Sequence, residues 1–171
     1  MKTMQPPAQA RGTRRRIAGR AQRDHIPDPY QTRQKPNEPT VCPSCGVVYR
    51  DGRWQWGERP SAAHAETCPA CRRIADGFPA GILTLHGDFA DSRRDEIMGL
   101  VRNVEEAEKG EHPLNRIVGV EDSEDGVVIS TTDIHLPRRL GEALRRTFHG
   151  ELDVHFDENA YFARIDWHPP P

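Results

Sequence analysis

The sequence predicts an α+β protein in three parts. These are a disordered basic arm over residues 1–37, a four-cysteine zinc module over 38–79 and a ferredoxin-like (split βαβ) domain over 80–171. Three observations predict this. The four cysteines of the 171-residue chain fall as two CxxC pairs, Cys42/Cys45 and Cys68/Cys71, with 22 residues between them. From residue 80 the apolar positions switch between strand and helix spacing in the order β, α, β, β, α, then a strand or a hairpin. The first 37 residues are rich in arginine and proline and too poor in apolar side chains to bury a face.

The net charge of −2 conceals an asymmetry. Residues 1–40 hold nine Lys/Arg and three Asp/Glu, a balance of +6, and the other 131 hold 15 and 23, a balance of −8. A basic arm is thus joined to an acidic body. Arg14, Arg15 and Arg16 are the densest part of that arm. Clustered arginines neutralise nucleic-acid phosphates without reading sequence; a solubilising tail is the other reading. No apolar run approaches the length of a membrane span. The N-terminus has arginines but no apolar core of a secretory signal. The expectation is a cytoplasmic protein with reduced thiols and no membrane contact.

Two CxxC pairs supply what a tetrahedral zinc site needs, since each turn aims two thiolates at one point about 2.3 Å away. Gly46, after the second cysteine, suits a turn that needs positive φ. The spacer is longer than the usual 15 to 20 or so residues, which lengthens the loop without preventing closure. A redox CxxC needs one pair, not two, and disulfides need an oxidising compartment. His64 could replace one cysteine, but Cys42, Cys45, Cys68 and Cys71 already complete the shell. A four-thiolate site is closed, so the Zn²⁺ is expected to be structural.

Within the zinc loop, residues 47–50 read as a strand, Asp51-Gly52 as a hairpin turn and residues 53–56 as the return strand. Trp54 and Trp56, two apart, share a face. They either cover the metal site or form a platform for bases or a partner. Arg53, Arg72 and Arg73, with Arg50 and Arg59, make the module locally basic.

In the second domain, residues 82–85 form the first strand. Ser92-x-x-Asp95 resembles a capping box, and Ile97, Leu100, Val101 and Val104 then recur at helical spacing up to Gly110. Residues 116–120 and 127–129 form a hairpin across an acidic turn. A second helix from Asp133 carries Leu136, Leu140, Leu144 and Phe148 as its apolar stripe and stops at Gly150. Leu152, Val154 and Phe156 alternate with polar residues as a half-buried strand does, and residues 161–167 form the last strand. The two helices are expected on one face of an antiparallel sheet.

Arg138, Arg139, Arg145 and Arg146 lie opposite the leucines of the second helix, as 138 with 145 and 139 with 146 share a face. They form either an RNA-backbone contact or a solvated face paired with Glu142. Glu108 and His112, four apart, could chelate a metal or belong to a solvated helix end. There is no phosphate loop, dinucleotide fingerprint or nucleophile elbow, and no cysteine is left over as a nucleophile. A non-enzymatic role is expected.

Cys42, Cys45, Gly52-Arg53-Trp54, Cys68, Cys71 and the strand Gly81-Ile82-Leu83-Thr84-Leu85-His86-Gly87 together resemble the large-ribosomal-subunit export adaptor family of eukaryotes and archaea. Asp125-Gly126-Val127 and the helix from Arg138 to Phe148 are similar more loosely. The likeness spans residues 40–150. The chain has one four-cysteine site where the adaptor has more, and it lacks the adaptor's further domains and export signals. It looks like a short, stand-alone, bacterial version of the zinc and α/β portion. The resemblance implies binding to the ribosome or ribosomal RNA, in ribosome maturation or stress-linked translation control. The expected RNA contacts are Arg14, Arg15, Arg16, Arg53, Trp54, Arg72, Arg73, Arg138, Arg139, Arg145 and Arg146. The alternative is a protein-interaction adaptor that binds no RNA.

Overall fold

A computed structural model of the chain describes residues 26–31 and 34–171. The arm arginines Arg14, Arg15 and Arg16 lie outside the described residues.

Four short strands build a small sheet around the cysteines: β1 (Thr40–Val41), β2 (Val48–Arg50), β3 (Arg53–Gln55) and β4 (His64–Ala65), in the order β3-β2-β1-β4. The β2–β3 turn has positive φ at both Asp51 (53°) and Gly52 (77°), the twist that a two-residue hairpin requires. The Glu38 carboxylate accepts both turn amides, at 3.1 and 2.8 Å. Helix α1 (Pro69–Asp76) then starts on Cys68 and ends at Gly77, whose left-handed φ of 59° lets its N–H reach the Arg73 and Ile74 carbonyls.

The remainder is β5 (Gly81–His86), α2 (Phe89–Ser92), α3 (Arg94–Glu111), β6 (Ile117–Ser123), β7 (Gly126–Thr131), α4 (Leu136–Phe148), β8 (Glu151–Phe156) and β9 (Ala163–His168). Leu83, Leu85, Val127, Ile129, Ile165 and Trp167 face the helices, and the α4 stripe Leu136, Leu140, Leu144 and Phe148 packs on them. Asp133 accepts the N–H groups of His135 and Leu136 at 2.8 and 3.1 Å, which sets where α4 begins. The expected capping role of Ser92 does not hold. Its hydroxyl bonds back to the Phe89 carbonyl at 3.1 Å inside α2, and α3 starts after Arg93 without a side-chain cap.

The larger sheet runs β6-β7-β5-β9-β8, and it is mixed rather than antiparallel because β5 and β9 are parallel. The physical reason lies in the last two strands. Ile165 and Trp167 of β9 are fully buried, whereas β8 exposes Glu151, Asp153 and His155. The more apolar strand takes the inner place beside β5, and the charged one becomes an edge that resists pairing with another chain.

Helix α4 lies close to this sheet because residue 141 is glycine. A Cβ there would meet Leu152 Cδ1 at 2.6 Å and Ile165 Cγ2 at 3.1 Å. Gly141→Ala is therefore expected to destabilise the protein by about 1–3 kcal/mol despite alanine's better helix propensity. Urea denaturation checks this, and an unchanged midpoint would show that the helix can lift without cost.

Part of the expected arm is anchored. The Arg73 guanidinium pairs with Asp28, donates to the Phe78 carbonyl at 3.0 Å and stacks on Tyr30 at 4.2 Å. The Tyr30 hydroxyl in turn donates to Asp76 at 2.7 Å. Arg73 is only 1% exposed, so it is a rivet between residues 26–31 and α1 and not the surface RNA contact expected of it.

Candidate metal centre and basic surface

Two different turns present the two cysteine pairs. At the first, Cys42 and Val47 close a tight loop, with Cys42 N–H donating to the Val47 carbonyl and Gly46 N–H to the Cys42 carbonyl, both at 2.9 Å. Gly46 sits there at φ 82°. At the second, Cys68 is the N-cap of α1 and accepts the Cys71 amide at 3.4 Å, with Pro69 in the first turn. Cys68 and Cys71 thus stand at the positive end of a helix, which favours thiolates. The Cys68 amide also donates to Cys42 Sγ at 3.3 Å and so ties the two turns together.

The four sulfurs lie within 4.8 Å of one another, and Cys45 and Cys68 are 3.8 Å apart. A zinc tetrahedron with bonds of about 2.3 Å has edges of roughly 3.8 Å. All four cysteines are free thiols. This geometry can bind a metal ion, and the four sulfurs leave no fifth protein ligand in the cluster. His64 is exposed on β4 and takes no part. Glu108 is neither on a solvated helix end nor grouped with His112: it is buried and its carboxylate turns to Arg139.

The metal centre has a partner that the sequence did not reveal. Arg116, on the approach to β6, reaches across from the second domain. It donates through Nη1 to Cys71 Sγ at 3.2 Å and through Nη2 to Cys45 Sγ at 3.1 Å, with Cys68 Sγ at 3.9 Å. Its Nε donates to the Pro113 carbonyl at 2.7 Å, and its guanidinium lies 5.7 Å from the Trp56 ring. Four thiolates around a divalent ion carry a net charge of −2, so one buried cation halves the excess.

The thiols differ in acidity. Burial opposes ionisation of Cys42, but hydrogen bonds from the Cys68, Cys45 and Ser44 amides outweigh it and bring the thiol down to about 6. Burial pushes the Cys68 and Cys71 thiols up, with the neighbouring sulfurs adding to it. Burial works against the charge on Arg116 too, and the hydrogen bond to Cys45 more than restores it. The two thiols of α1 therefore resist ionising where Cys42 does not.

The remaining expected contacts are scattered. Arg53 is exposed on β3, while Trp54 is half-buried and packs edge-on to Tyr49 at 5.3 Å and against the cysteines. Arg72 pairs with Glu66 at 2.7 Å. On α4, Arg138 pairs with Glu142 at 2.9 Å and Arg139 with Glu108. Arg145 and Arg146 are exposed and have no ion-pair partner among the described residues. Arg138, Arg139 and Arg146 line a groove of about 590 Å³ between α3 and α4. In comparisons with known proteins, no family model matches the chain, and no curated protein or solved structure is significantly similar to it.

Helix α1 is a further element that sequence reasoning missed. Its signal was present, with a polar cap at Cys68, proline at the first helical position and glycine at the end. No helix among the described residues is long and apolar enough to cross a membrane.

Proposed function

We propose that the chain is a non-enzymatic cytoplasmic protein, built on a structural zinc ribbon and a variant of the ferredoxin-like unit, that binds structured RNA, with the ribosome as its target. The arginines of the N-terminal segment add salt-sensitive affinity by counterion release. The observation that carries this reading is the outer face of α4. Four arginines share it, and two of them, Arg145 and Arg146, have no carboxylate partner among the described residues. The Arg138–Glu142 pair is half-exposed on both sides, so it is worth little and a phosphate can replace its carboxylate, whereas Arg139 is half-exposed but answers a buried Glu108. The resemblance to the ribosomal export adaptors points the same way. The acidic remainder of the body favours one oriented face over uniform coating of nucleic acid.

The test is co-sedimentation of the zinc-loaded protein with ribosomes as salt is raised. Wild-type protein is expected to pellet with one subunit at moderate salt. Replacing Arg138, Arg139, Arg145 and Arg146 with glutamate is expected to weaken this by at least about a hundredfold, since four phosphate contacts become repulsions. Pelleting at low salt only, or a quadruple variant that pellets like wild type, would remove the α4 face from the reading. A second reading rests on Ile74 and Phe78, which are 39% and 56% exposed at the end of α1. They favour a protein-interaction adaptor, and that function would survive the charge reversal.

A further inference from the structure

A groove larger than the one on α4 lies between β3 and the segment after α3. It has a volume of about 810 Å³ and is lined by Trp54, Trp56, Lys35, Arg53 and Pro113 among others. We infer that this groove holds one unpaired nucleotide of the RNA, with its base against Trp56 and its phosphate at Lys35 and Arg53. This deepens the RNA reading and rests on it.

Two observations argue for that occupant. Trp56 is 37% exposed, yet it is not loose. Its Nε1–H donates to the Lys109 carbonyl at 2.6 Å, and the Arg116 guanidinium lies 5.7 Å from its ring. A large aromatic fixed in orientation and still open to solvent can stack a base at little entropic cost. The second observation is charge. Lys35 and Arg53 have no ion-pair partner among the described residues, and Glu111 is the only carboxylate among the lining residues. A groove of this size suits a nucleotide, and a stacking platform beside free cations is how unpaired bases are taken up.

The experiment uses the full zinc-loaded chain and two labelled probes, a single-stranded uridine decamer and a blunt RNA duplex, read by fluorescence anisotropy. Trp56→Ala is expected to weaken decamer binding about tenfold and to leave duplex binding unchanged, while Trp56→Phe retains most of the affinity. The double variant Lys35→Glu/Arg53→Glu, with both side chains on the surface, is expected to weaken the decamer by a similar factor even if Trp56→Ala folds poorly. Wild-type protein that binds the duplex but not the decamer would overturn the groove and spare the RNA reading. Wild-type affinity for the decamer in both sets of variants would do the same. Failure of wild type to bind either probe would overturn both. Binding of a polyproline peptide that depends on Trp56, by protein that does not bind the decamer, would assign the groove to a protein ligand and overturn the inference.

Discussion

Cys68→Ser is expected to release the metal and unfold the residues around it. Cys68 is fully buried and does three things at once. It caps α1, its amide bonds Cys42 Sγ, and its own sulfur stands 3.8 Å from Cys45 Sγ. Serine preserves the cap but is a poor ligand for a soft-leaning ion. The apolar cluster around the sulfurs is small: Val47, Ala70 and the cysteines themselves, with Trp54 and Leu114 against them, and the only other buried apolar residues of the module are Val41, Val48 and Tyr49. So small a core does not stand on its own, and metal binding supplies its folding free energy, on the order of 10 kcal/mol in comparable four-ligand modules. The expected result is less than about 0.1 zinc per chain by atomic emission, together with loss of the near-ultraviolet signal of Trp54. The second domain should keep its helices, because its core is separate. A Cys68→Ser protein with one tightly held zinc and an intact Trp54 signal would sink the four-thiolate site.

How far the sequence reads ahead of the structure depends on the range of each signal. The α4 stripe was legible because four apolar side chains at four-residue spacing leave one way to bury them, and all four are buried. The cysteine cluster was legible for a related reason: a CxxC turn brings its own two sulfurs together whatever surrounds it. The order of the last two strands was not legible. β8 and β9 carry similar alternation, and what separates them is how completely Ile165 and Trp167 can be covered, a property of packing in three dimensions. Arg73 escapes the sequence for the same reason. An arginine after a cysteine knuckle looks like a surface cation until Asp28, Tyr30 and Phe78 are seen to enclose it.

Arg116 is the clearest instance of the limit. In the sequence it stands 45 residues from Cys71 and 71 from Cys45, between an asparagine and an isoleucine, with nothing to mark it. Yet through it the second domain contributes to the metal centre. A buried guanidinium that serves two sulfurs, a carbonyl and an aromatic face has no other place to go, so a metal ion held by the cluster and Arg116 would each stabilise the other's position. Binding of the metal and docking of the module on the loop from Pro113 to Arg116 then share one free energy.

Arg116→Met tests that coupling with the second large effect. Methionine keeps much of the apolar volume and removes the charge and the hydrogen-bond fork. Outer-shell partners of metal ligands are worth about 10–100-fold in affinity, and the loss of a buried cation facing a dianionic cluster falls at the upper end. Competition against a chelator at fixed pH is expected to show zinc held roughly 100-fold more weakly. Arg116→Lys should lie between, since it restores a charge but cannot reach Cys45 and Cys71 together. Hydrogen exchange supplies the second reading. The Cys42, Gly46 and Cys71 amides, and the Asn115 and Thr132 amides on either side of the Arg116 loop, should lose protection together in the variant, as they should when zinc is stripped from wild type. If Arg116→Met bound zinc like wild type, the guanidinium would be a neighbour of the site and not part of it. If zinc weakened but the second-domain amides stayed protected, the two units would be held together by the Trp56–Lys109 contact instead, and the coupling would fail.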